Sequence, residues 1–255
     1  MTAIHIESLD QEGRGVGRAG GKVVFVEGAL PGETVTYRAY RRKPTFETGE
    51  AETIRGESFM RVAPRCPHFG ACGGCTLQHM EPGAQVAAKQ RVLEESLVRI
   101  GKVEPDLILP AVHGPAWGYR RRARLSVRRV EKKGGVLVGF HERRSSYVAD
   151  METCLVLPPR IAALIKPLRE LVGSLSISDR LPQVEVAVGD AADALVLRIL
   201  QPLTPKDEDA IRAFASRHGI QIFLQPGGPD TARRFHPADG PELYYALPEF
   251  DVTLP

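Results

Sequence analysis

The sequence predicts an α+β protein in two parts: an N-terminal small β-barrel of OB-like type, then an α+β unit built on a mostly antiparallel sheet. Three observations predict it. Over residues 1–58 apolar and polar positions alternate in short runs broken by glycine, the pattern of strands that curl to hide their edges. From Tyr119 to Leu224 strand-like and helix-like periods follow in the order ββ-α-ββ-α-β, which places helices on a sheet. Between them, Cys66-Pro67-His68-Phe69-Gly70-Ala71-Cys72-Gly73-Gly74-Cys75 gathers three of the four cysteines into one glycine-rich loop. The expected division is therefore a barrel at 1–58, a central unit made of 59–80 and 111–255, and a helical segment at 81–110.

In the barrel, Ile4–Leu9, Lys22–Val26, Thr34–Tyr40 and Thr48–Ile54 read as strands, with Leu30-Pro31-Gly32 as a turn. Gly15-Val16-Gly17-Arg18-Ala19-Gly20 matches G-x-G-x-x-G. A dinucleotide fingerprint needs a helix at its last glycine, whereas Gly21–Val26 is strand-like, so the motif reads as a hairpin turn.

Gln85–Ile100 places Val86, Leu93, Leu97 and Ile100 on one helical face, with Gly101 as C-cap. Pro105–Pro115 connects to a hairpin of Tyr119–Val130 and Gly135–His141, turned at Lys132-Lys133-Gly134-Gly135. Ile161–Val172 is an amphipathic helix, and Val184–Val188 and Ala194–Leu200 are strands. Thr204 as N-cap, Pro205 in the first turn and Asp207 at the capping-box position start a helix that Gly219 stops. Ile220–Leu224 is a strand, and Tyr244–Leu254 a last one approaching a further unit, so the chain is expected to be truncated.

The 255 residues, 43% hydrophobic and 25% charged, suffice for more than one core. There is no basic-apolar-small leader at Met1–Leu9 and no apolar run approaching the roughly 18 residues of a membrane span, which predicts a cytoplasmic protein without a membrane partner. No obligate protein partner is apparent. In a reducing compartment clustered cysteines bind metal more often than they form disulfides. Four thiolates suit tetrahedral Zn2+ or a [4Fe–4S] cluster, and spacing alone does not choose between them. Three local ligands and a remote fourth, Cys154, resemble the uneven arrangement of iron–sulfur loops, while His68 and His79 keep zinc open as substitute ligands.

Net charge is +3, yet Tyr119–Arg144 holds ten Lys/Arg against Glu131 and Glu142, a local +8 that leaves −5 for the remainder. Such a stripe points to a polyanion, nucleic acid, against the plainer reading of a solvated basic face. The candidate RNA contacts are Arg41, Arg42 and Lys43 on the barrel, with Arg120, Arg121, Arg122 and Arg124 downstream. Tyr119 is a stacking candidate beside them, as is Phe69.

Cys66-x5-Cys72-Gly73-Gly74-Cys75 followed by Gln78-His79, then Trp117-Gly118-Tyr119-Arg120-Arg121-Arg122-Ala123-Arg124-Leu125, then Cys154-Leu155-Val156-Leu157, resembles the iron–sulfur RNA uracil-5-methyltransferases. The likeness runs over the whole chain. Residues 1–58 resemble a TRAM domain, which points to the bacterial branch that methylates a uridine of 23S ribosomal RNA; a sister rRNA enzyme without the barrel fits less well. The resemblance implies a [4Fe–4S] cluster on Cys66, Cys72, Cys75 and Cys154, a central domain that grips single-stranded or looped 23S rRNA, and Arg124 near the target nucleotide. It also implies methyl transfer from S-adenosylmethionine: a cysteine thiolate adds to C6 of a flipped-out uracil, C5 is methylated and a carboxylate removes the C5 proton.

One departure is decisive for the expected role. The methyltransferase domain should follow Pro255, and all four cysteines are already assigned to the cluster. No catalytic residue and no S-adenosylmethionine ligand is therefore expected in this chain, which is predicted inactive alone; Cys154 is a nucleophile only if the cluster assignment fails. The helix in 81–110 is expected to pack on that absent domain, leaving a sticky apolar face. The alternative is a self-contained RNA-binding metalloprotein, zinc or iron–sulfur, acting as an adaptor without catalysis.

Overall fold

A computed structural model describes residues 3–254. It divides into two compact units: the chain up to Phe69 with Cys75–Gly114, and Gly70–Gly74 with the chain from Pro115 onward.

The first unit contains a closed five-stranded barrel of β1 (Ala3–Leu9), β2 (Gly15–Ala19), β3 (Lys22–Glu27), β4 (Thr34–Arg42) and β5 (Phe46–Arg55), ordered β1-β2-β3-β5-β4. Strands β3 and β5 pair in parallel and every other pair is antiparallel. Alternation aims Ile4, Ile6, Val24, Val26 and Val35 inward, where with Ala29 they form the buried core. Each such aliphatic side chain contributes about 1.5–3 kcal/mol on burial.

The barrel has one strand more than its sequence predicts. Gly15–Ala19, read as a turn, is β2, and the turn itself is Gly20-Gly21, with φ of 54° and 82° between the paired Ala19 and Lys22. Positive φ at both central residues is the two-residue hairpin geometry that matches strand twist. Gly17 is in the strand because a side chain there would strike the His5 carbonyl on β1. No helix opens at the last glycine of the motif, so the phosphate-loop geometry is absent.

Beyond the barrel, Met60–Val62 and His79–Glu81 run antiparallel, joined by Val62 N–H to His79 O (3.0 Å) and Glu81 N–H to Met60 O (2.8 Å). Helix α1 (Pro82–Ser96) begins at Glu81, whose carboxylate accepts from Ala84 N–H at 2.8 Å. A π-helical turn at Leu97–Gly101 extends it. That wider turn adds a residue, so the left-handed position that ends the helix falls on Lys102 (φ 53°) and not on the expected Gly101. No residue of α1 is buried within the structure.

The second unit is a six-stranded sheet in the order β11-β10-β9-β8-β6-β7, made of β6 (Arg122–Val130), β7 (Gly135–Gly139), β8 (Gln183–Val188), β9 (Asp193–Arg198), β10 (Gln221–Gln225) and β11 (Arg233–His236). Only β9 and β10 are parallel, because α4 (Pro205–His218) crosses between them. The amphipathic stretch expected at Ile161–Val172 is split into α2 (Pro159–Ala162) and α3 (Ile165–Ser174). Helix α3 lies against β7, and α4 against β10. Asp207 completes the capping box of α4 with Thr204 and also accepts from the backbone N–H and hydroxyl of Ser176, at 2.8 and 2.5 Å. The stretch expected as one final strand is a hairpin of β12 (Tyr245–Leu247) and β13 (Val252–Leu254), turned at Asp251 with φ 51°; Pro255 lies outside the described residues. Among the described residues no helix is long and apolar enough to cross a membrane.

Candidate nucleic-acid interface

The barrel presents its cations at the tip of the β4–β5 hairpin, where Lys43 N–H donates to Phe46 O at 2.9 Å across a tight turn. Arg41, Arg42 and Lys43 are all exposed there. Arg42 lies 3.7 Å from the Glu47 carboxylate, whereas the Arg41 guanidinium sits over the Phe46 ring, 5.6 Å from its centroid. Among the described residues Arg41 and Lys43 form no ion pair, so two positive charges at this tip are unmatched.

On the sheet, strand alternation separates the Arg run into two kinds of residue. Ala123, Leu125 and Val127 are buried, and Arg122 and Arg124 stand exposed on the opposite face of β6. Arg124 is directly opposite Glu185 on β8, and that one carboxylate takes Arg122 at 2.8 Å and Arg124 at 3.5 Å. Arg121 pairs with Asp190, whose carboxyl is held below its ordinary range by that bond first and by the Ala246 N–H second. Arg120 has its guanidinium 5.4 Å from the centre of the Phe140 ring and donates to Gly74 O at 3.3 Å. Tyr119 is 49% exposed, and Phe69 is half-buried with its ring 5.7 Å from that of His79.

Part of the basic stripe is thus held in ion pairs, Arg121 with Asp190 and Arg122 and Arg124 with Glu185. Their partners, Glu185 and Asp190, lie more than sixty residues away in sequence, where no local signal reveals them. Exposed pairs of this kind are worth about 0–1 kcal/mol each, so phosphate oxygens can replace the carboxylates at little cost.

In the cysteine loop, Gly70–Gly74 lies alongside His141–Arg143: Gly73 N–H donates to His141 O at 2.8 Å and Arg143 N–H to Ala71 O at 2.9 Å. Cys72 Sγ accepts from Gly74 N–H at 3.4 Å, and Cys66 N–H donates to the Gln78 side chain at 3.3 Å. Cys154 is buried, at the start of a stretch whose Leu155 and Val156 carbonyls accept from Gly118 and Arg120 N–H. None of the four cysteines is in a disulfide; Cys66 and Cys75 belong to the first unit, Cys72 and Cys154 to the second. As donors they suit a thiolate-bound metal group, and the N–H on Cys72 is of the kind that stabilises a thiolate. Among the described residues no group of three or more His, Cys, Asp or Glu is arranged to hold a metal ion.

Comparisons with known proteins show what this chain is similar to. Residues 3–51, the span of the barrel strands up to the middle of β5, match the TRAM domain family. The whole chain is 66% identical over 256 residues to the 23S rRNA (uracil(1939)-C(5))-methyltransferase RlmD of Nitrosospira multiformis, of which it covers 58%. The protein of the same name from Aromatoleum aromaticum is 60% identical over 254 residues, again across 100% of this chain and 59% of the relative. The chain therefore spans somewhat under three fifths of the length of these relatives. A similar fold is found in the crystal structure of Pyrococcus abyssi tRNA (uracil-54, C5)-methyltransferase in complex with S-adenosyl-L-homocysteine, with a TM-score of 0.57 and 19% identity over 87% of this chain and 50% of that one.

Proposed function

We propose that this chain is the RNA-recognition portion of an S-adenosylmethionine-dependent 23S rRNA uracil-C5 methyltransferase. The observation that carries the reading is the 66% identity to the Nitrosospira multiformis enzyme across the whole chain. The TRAM match and the two arginine-bearing faces support it, since single-stranded RNA is held by cations on its phosphates and planar groups on its bases. In this reading Arg41, Arg42 and Lys43 on the barrel and Tyr119, Arg121, Arg122 and Arg124 on the sheet unit bind and orient the RNA. Arg120 holds the glycine loop.

S-adenosylmethionine supplies the methyl group when bound. No residue of this chain is given a catalytic or cofactor-binding role; those roles are assigned to the part of the longer relatives that the chain does not cover. The exposed apolar side chains Leu93, Val98, Ile100 and Val103 on and after α1 are assigned to packing on that part. Cys66, Cys72, Cys75 and Cys154 are proposed as the ligands of a [4Fe–4S] cluster with a structural role, on the strength of their spacing and their donor chemistry.

A filter-binding titration with a single-stranded 23S rRNA segment tests the RNA reading. Affinity should fall with salt, with a slope of roughly −0.7 per neutralised phosphate. A flat salt response overturns it. Iron, sulfide and zinc analysis of anaerobically purified protein tests the cluster; stoichiometric zinc without iron overturns that assignment.

A further inference from the structure

The outer wall of the barrel carries an arrangement that the basic tip alone does not explain. Along β3, Val24 and Val26 point into the core, so Phe25 between them points outward. Phe46, first residue of the adjoining β5, is outward as well, and neither ring belongs to the buried core. The two rings meet edge to face, 5.9 Å apart at 79°. Each carries an arginine: Arg14 lies 4.9 Å from the centre of Phe25, and Arg41 lies 5.6 Å from the centre of Phe46. Arg14 is tethered by Asp10 (2.7 Å) and Glu12 (3.1 Å), whereas Arg41 forms no ion pair among the described residues and is exposed.

We infer that this Arg14–Phe25–Phe46–Arg41 row is a stacking platform for unpaired bases of single-stranded RNA, with Arg41 on Phe46 as its working end. The inference rests on the RNA-binding reading and adds to Arg41 three residues that the sequence did not single out, Arg14, Phe25 and Phe46. A folded barrel does not need two phenylalanines on its outside wall, and half-buried rings are useful where something flat is laid against them. The Phe46 ring holds the Arg41 side chain over its face, which leaves the guanidinium plane ready to take a base by stacking. Arg42 and Lys43, two residues or fewer along the same hairpin tip, are placed for the phosphates of the same strand. Charge complementarity favours RNA over an apolar partner, because the tip that adjoins the rings is cationic.

The test uses the full chain and an unpaired RNA oligomer carrying 2-aminopurine, whose fluorescence is quenched by stacking. The wild-type protein should quench on binding. F46L, which keeps apolar bulk but removes the ring, should bind about 5- to 30-fold more weakly and lose the quench, with its salt slope unchanged, as expected when one stacked base is lost. F46Y should retain both affinity and quench, and R41K, which keeps the charge without the plane, should lose quench and weaken binding. Normal binding and quench in both F46L and R41K overturn the platform while leaving the RNA reading intact. Failure of the wild-type chain to bind the oligomer at low salt overturns both.

Discussion

The Glu33 carboxylate, fully buried, is clamped by the Arg61 guanidinium through bonds of 2.5 Å from Nε and 2.8 Å from Nη2. It also accepts from the backbone N–H groups of Leu30 (2.8 Å) and Ser58 (3.2 Å), and Arg61 donates onward to Gly28 O at 2.7 Å. Because Arg61 is in the pass that pairs with Met80, this one ion pair ties the barrel to the base of the cysteine loop.

Removing one partner should be costly. R61M leaves a buried carboxylate without its counter-charge and should lower unfolding free energy by about 3–5 kcal/mol in urea titration. E33Q, which keeps acceptor and shape, should cost less than R61M.

The same pair sets an acid limb. Burial pushes the Glu33 pKa up, but the Arg61 bond and the two backbone N–H bonds outweigh it, so the folded value is lowered. A carboxyl with a depressed folded pKa contributes stability that is present above its unfolded value, near 4.3, and lost as pH falls through the folded one. Asp207 acts in the same direction: burial opposes ionisation, and the bonds from Ser176 and Thr204 prevail. Stability should therefore fall below about pH 4.5, and E33Q should flatten that fall in thermal melts across pH 2–6.

Glu185 competes with phosphate for Arg122 and Arg124. E185Q should tighten RNA binding and steepen its salt dependence. R122Q with R124Q should weaken binding and reduce the slope by roughly 1.4, at about 0.7 per lost phosphate contact.

Gly17 marks the closest approach of β2 to β1. G17A drives a methyl into the His5 carbonyl and should destabilise the barrel by about 1–3 kcal/mol, read as a lower melting temperature of the full chain. G20A, where no atom is within 4 Å, meets a different obstacle: its φ of 54° strains any residue with a side chain.

Sequence alone determined what local chemistry determines. Four barrel strands, the β6–β7 hairpin at Gly134-Gly135 and the whole of α4 from Thr204 to Gly219 were legible, because period, turn residues and caps act within a few positions of one another. The C-x5-C-x2-C loop and the arginine run were legible for the same reason. Tertiary structure decided the rest. It made Gly15–Ala19 a strand, because a glycine's place in a strand depends on the neighbour that crowds it. It ended α1 at Lys102 by means of a π turn, and it split the Arg run between Glu185, Asp190 and Gly74. It also laid Arg41 on Phe46 and closed Arg61 on Glu33 across 28 residues. A charge or a ring is visible in sequence, but its partner is chosen by strand register and chain crossing, which only the folded chain brings about.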